Sequence, residues 1–149
     1  MKSNKASRRA AIAVGATGAY LQVVEWVNLF PWNDIRSGNG QESLDLILAG
    51  VTLGLVFWLW FGGRLPAATA ALGLAVWAAL QATTWWIPYF TGASREWKLV
   101  YARWFDDTVS ILPRTVENLP PDANHLVLHA LILIAFAYSL RAYLSRERR

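Results

Sequence analysis

Four apolar stretches constrain this chain more than any other feature: Ala10–Phe30, Leu44–Gly62, Pro66–Phe90 and His125–Leu144. A hydrocarbon layer about 30 Å thick needs about 20 helical residues rising about 1.5 Å each. All four stretches meet that length and the segments between them do not. The sequence therefore predicts an all-α integral membrane protein, a four-transmembrane-helix bundle. The four spans use so much of the 149 residues that one membrane domain over residues 1–149 is expected.

The chain is basic, with a formal charge of +4, but its cations sort by membrane side. With both termini cytoplasmic, Lys2, Lys5, Arg8, Arg9, Arg64, Arg141, Arg146, Arg148 and Arg149 fall inside. Arg36, Arg95, Lys98, Arg103 and Arg114 fall outside, among an excess of carboxylates. That asymmetry follows the positive-inside rule, so the basic tails set topology and attract anionic lipid instead of nucleic acid. Nine Trp fit the same picture, because an indole favours the membrane interface. Small size and basic termini suggest a prokaryotic inner, or plasma, membrane. Ser7-Arg8-Arg9 ahead of Ala10–Ala19 resembles a twin-arginine export signal, but the apolar run continues through Phe30, longer than such a signal's core. An uncleaved first span is expected.

Gly15 and Ala19 give span one small-xxx-small spacing for close helix approach. Gly62-Gly63-Arg64-Leu65-Pro66 reads as a tight cytoplasmic turn, which makes spans two and three antiparallel neighbours. Trp85 to Phe90, around Pro88, reads as an aromatic belt and a break. Within the long outer segment 91–124, Ser94 is a helix N-cap, and apolar residues from Trp97 to Thr108 recur at helical spacing. That pattern predicts an amphipathic interfacial helix between spans three and four, lying over the bundle. The adjacent Asp106 and Asp107 sit near its unfavourable end and call for a cation or for Arg103 or Arg114. Asp122 is placed to cap span four.

Depth locates the chemistry. Glu25, Gln81, Thr84, His125, His129 and Asp45 all fall toward the outer ends of their spans, whereas the inner halves offer little but Thr17, Thr52, Thr69 and Ser139. Polar groups in hydrocarbon turn inward toward one another, so one pocket open to the outer face is expected. Gln22, Glu25 and Asn28 recur every three residues and share a helix face. His125 and His129, at i and i+4, share another. Glu25, His129 and His125 are the catalytic candidates. Gln22, Asn28, Asp45, Gln81, Thr84, Trp26, Trp85 and Trp86 are the ligand-binding candidates.

Several chemistries drop out. No Cys means no disulfide, thiolate nucleophile, iron–sulfur cluster or zinc–thiolate site. No span holds a Lys for retinal. Two His four apart on one helix cannot ligate a haem from both sides, and no Gly-rich loop exists for nucleotide. The His125/His129 spacing leaves a divalent metal open, although Leu126 stands where the helical metalloprotease motif needs Glu.

Three functions fit this layout. The leading one is binding or conversion of an apolar or amphiphilic ligand (an isoprenoid, a quinone or a lipid-like molecule) by Glu/His acid–base chemistry. The second is a small proton-coupled transporter. Four spans, a Glu in span one and many aromatics resemble the small multidrug exporters in outline, while the long outer segment and the shallow Glu depart from them. The third is an accessory subunit whose small-residue faces and Trp belts pack against a second copy or a membrane-protein partner.

Overall fold

The computed structural model describes residues 5–35 and 42–145, and every regular element among them is helical. The cations Lys2, Arg36, Arg146, Arg148 and Arg149 lie outside the described residues. In chain order the elements are α1 (Lys5–Trp26), α2 (Glu42–Phe61), α3 (Arg64–Gln81), a π turn (Ala82–Trp86), α4 (Ile87–Thr91), α5 (Arg95–Trp104) and α6 (Ala123–Leu144). Among the described residues, two helical runs are long and apolar enough to cross a membrane: Arg64–Thr91, 28 residues, and Ala123–Leu144, 22 residues. The apolar helical stretch Asp45–Phe61 is shorter, and α1 opens on Lys5, Arg8 and Arg9.

The four long helices pack in the order α2, α1, α6, α3, each pair antiparallel. Thr17 Oγ donates to Leu131 O and Tyr20 OH to Asn124 Oδ1, which sets the direction of α1 against α6. Gln81 meets His129 and Arg64 meets Tyr143, which sets α3 against α6. Gln22 Nε2 donates to Asp45 O where α2 begins beside the end of α1. α2 and α3 are joined by two residues yet pack little against each other. The short link therefore did not make them neighbours. Gly62 and Gly63 turn the chain at φ 77° and 154°, values L side chains rarely adopt, and send α2 to α1 and α3 to α6.

Small side chains allow this packing. Ala10, Ala11 and Val14 of α1 and Ala67, Ala70 and Leu74 of α3 are buried against Leu128, Ile132, Ala135 and Ala142 of α6. Gly18 makes the closest approach to α2, since a Cβ there would lie 2.4 Å from Thr52 Cγ2. The expected Gly15/Ala19 pair is shifted, because Ala19 is exposed. Large apolar side chains are displayed outward instead, Ile12, Leu53, Phe57, Leu72 and Leu133 among them.

α1 stops at Trp26, short of the expected Phe30. The Asn33 side chain folds back and donates to Val24 O and Val27 O, satisfying carbonyls that a longer helix would have bonded. Asn28 therefore lies beyond the helix, exposed, and does not share a helical face with Gln22 and Glu25. The expected break at Trp85–Phe90 is instead a π turn. Ile87 N–H bonds Ala82 O, and the helix runs on through Pro88. Pro88 has no N–H, and its ring crowds the carbonyl four residues back, so a widened turn accommodates it.

Ser94 accepts from Trp97 N at the start of α5, and Asp122 accepts from His125 N at the start of α6. Asp106 pairs with Arg114, and Lys98 lies 2.6 Å from Glu117. These pairs tie α5 to the extended chain that leads to α6. A second apolar cluster joins Trp85, Ala93, Tyr101 and Leu119, with Trp86, Trp97 and Phe105 packed against it.

Candidate functional site

The end of α1, the start of α2, the π turn, α5 and the start of α6 converge on one cavity of about 690 Å³. Trp26, Trp85, Trp97, Trp104 and Phe105 give it aromatic walls, and Glu25, Asp34, Asp45, Asp122 and His125 supply its ionisable groups. Asn33, Thr84, Thr108 and Asn124 add neutral polar groups.

His125 and Asp122 form the most organised part of that lining. Asp122, 1% exposed, directs Oδ1 at the His125 backbone N–H, 2.8 Å, and at Nδ1, 2.7 Å. Its Oδ2 accepts from Thr108 Oγ at 3.0 Å. Burial alone would push the Asp122 carboxyl up. The bonds and charge of His125 and the Thr108 hydroxyl outweigh burial and hold it below its usual value. An ionised Asp122 places a proton on His125 Nδ1 and leaves Nε2 as the ring's accepting atom. Trp85 lies over the ring at 4.1 Å between centroids, tilted 41°, and Phe105 meets it edge-on at 5.2 Å. A carboxylate below and aromatics on two sides fix the imidazole in orientation and tautomer.

The π turn gives each histidine its own tryptophan. Trp86 Nε1 donates to His129 Nδ1 at 3.2 Å, and His129 Nε2 meets Gln81 Oε1 at 2.9 Å. An indole N–H can only donate, so the His129 proton sits on Nε2 and is given to Gln81. Both of its nitrogens are used, and His129 does not line the cavity. The two imidazoles lie 6.3 Å apart, centroid to centroid, in separate environments. That arrangement leaves His129 no nitrogen for a metal. Among the described residues no three His, Asp or Glu side chains gather closely enough to hold one.

The cavity thus brings together Glu25, His125, Asp45, Thr84, Trp26 and Trp85 of the residues singled out from sequence. It leaves out His129, Gln81 and Trp86, which bond one another, and the exposed Asn28. Gln22 stands behind the wall, where its Oε1 accepts from Trp26 Nε1 at 3.2 Å and its Nε2 donates to Asp45 O. Sequence reading gave Asp122 only a capping role and missed it as the partner of His125. The signal was present, since an acid at the N-cap and a His three residues on share the first turn, as in a capping box. Thr108, Asn33 and Asp34 arrive from non-helical chain and carried no such signal. Trp97 brings a buried indole N–H with no partner among the described residues.

Comparisons of the chain with protein-family models, with curated proteins and with solved structures find no match.

Proposed function

We propose that this is a four-span membrane protein that binds an amphiphilic small molecule in a cavity open to the outer leaflet, with His125 exchanging a proton with the ligand's polar end. α1 and α2 join the two more apolar runs as spans. Their outward faces carry Ile12, Val23, Leu46, Val51, Leu53 and Phe57. Such area would cost about 25 cal/mol per Å² in water and nothing in lipid. Both termini then face the cytoplasm, and α5 lies in the outer interface.

The Asp122–His125 pair carries the reading. A buried carboxylate bonded to one imidazole nitrogen fixes the ring's tautomer and leaves the other nitrogen to face the ligand, the arrangement used for general acid–base work and for ligand orientation. Glu25 lines the same cavity and is a further proton-carrying group there. The aromatic walls suit an apolar body, and the volume falls within the about 300–1,000 Å³ range of small-molecule sites. On the far side of the cavity the helices close on Ala10, Ala11, Val14, Ala135 and Ala142. That packing favours a binding site or enzyme over a transporter, which needs a polar route to both sides.

The test is to purify the protein in a mild detergent and extract what it retains for mass spectrometry. One amphiphile enriched far above bulk lipid, and lost in His125→Leu, is the expected result. A profile identical to bulk lipid in both proteins would overturn the proposal.

A further inference from the structure

We infer that the cavity's occupant carries a cationic head, an organic ammonium ion, held between the Asp45 carboxylate and the tryptophan faces of the wall. This rests on the reading of the cavity as a ligand site and names the ligand's class. Asp45 is 9% exposed and lines the cavity, yet its carboxylate has no hydrogen-bond or ion-pair partner among the described residues. A buried carboxylate without a partner is costly. Asp45 lies in the first turn of α2, at the positive end of the helix dipole. Among the described residues, no counter-charge meets the Asp45 carboxylate.

No Lys or Arg is among the described residues that line the cavity, so the chain's own described cations do not supply that charge. A bare metal ion suits the site poorly, since no three ligating side chains gather among the described residues. The walls instead present Trp26, Trp85, Trp97 and Trp104. Indole faces attract ammonium groups through the ring quadrupole, most strongly where water is excluded. Carboxylate and indoles together discriminate a cationic head from a neutral one of equal shape.

The probe is decyltrimethylammonium, compared with its uncharged isostere in which carbon replaces nitrogen, and with decyl sulfate. Binding is read from tryptophan emission of the full chain in an uncharged maltoside micelle, on a micelle mole-fraction scale so that partitioning cancels. The cation should bind at least about tenfold more tightly than the isostere, a difference of about 1.4 kcal/mol. Asp45→Asn should abolish that preference and leave isostere binding unchanged. Equal binding of cation and isostere, tighter binding of decyl sulfate, or a preference that survives in Asp45→Asn would each overturn the inference while leaving the cavity a ligand site. Failure of all three probes to bind would sink both. If Asp45→Asn does not fold, the comparison of cation with isostere on the unaltered protein decides alone.

Discussion

Asp122 Oδ1 lies 2.7 Å from His125 Nδ1 and 2.8 Å from the same residue's backbone N–H, so one carboxylate oxygen both starts α6 and sets the histidine's tautomer. Folding and chemistry share an atom there. Replacing Asp122 should therefore disturb stability and site together.

The stability part has a pH signature. The Asp122 carboxyl is held below its ordinary value, so its contribution is complete above the usual carboxylate pKa of about 4 and disappears as pH falls through the lowered folded value. Asp122→Asn should lower stability by about 1–3 kcal/mol near neutrality. The gap to the unaltered protein should narrow on acidification below about pH 4. Thermal unfolding of both proteins from pH 3 to 7 checks this, and a gap that stays constant across that range would contradict it.

His129 should behave differently from His125. Trp86→Phe removes the indole donor to His129 Nδ1 and should cost about 1–3 kcal/mol by leaving a buried acceptor unmade. It should leave ligand retention close to normal, because neither residue lines the cavity. His125→Gln should do the reverse. Parallel measurements of unfolding and of retained amphiphile separate the two, and equal loss of ligand in both variants would merge the two histidines into one site.

Gly18 and Gly54 make a matched pair of packing tests. A Cβ at Gly18 meets Thr52 Cγ2 at 2.4 Å, whereas at Gly54 nothing lies within 4 Å. Gly18→Ala should destabilise by about 1–3 kcal/mol through overpacking against a stiff β-branched side chain. Gly54→Ala should be neutral or stabilising by up to about 1 kcal/mol, as expected for Gly to Ala within a helix. Adding Thr52→Ala to Gly18→Ala should restore most of the loss. Unfolding midpoints of the four proteins check the set.

Topology is open to a clean test because the chain has no Cys. Single cysteines at Ser37, Leu65 and Val116 can be labelled in intact cells with a membrane-impermeant maleimide. Four spans require Ser37→Cys and Val116→Cys to label from outside and Leu65→Cys to label only after lysis. Protection of Ser37→Cys together with Leu65→Cys would show that α1 and α2 do not cross.

Local chemistry was legible in the sequence. Ser94 and Asp122 could be read as caps, because a cap depends on residues within one turn. Helical periodicity put His125 and His129 on one face, and their rings do lie close. It could not show that the two would meet different partners. That division comes from the π turn, which sends Trp85 to one imidazole and Trp86 to the other. A π turn depends on how Pro88 is accommodated by its neighbours, and periodicity carries no sign of it. The end of α1 was misread for a similar reason. Asn28 follows the three-residue spacing, but Asn33 returns from the next segment and takes Val24 O and Val27 O. The pairing of α2 with α1 instead of α3 rests on shape, with Gly18 accepting Thr52 at close range.

Occupancy of the cavity tests the central claim most directly. Val100 lines the cavity on α5 and is itself exposed, so Val100→Trp fills the space with little disturbance of the core. The unaltered protein should retain about one equivalent of a single amphiphile, and Val100→Trp at an unchanged unfolding midpoint should retain at least about tenfold less, the equivalent of about 1.4 kcal/mol. Equal retention by the two proteins would contradict the assignment of this cavity as the ligand site.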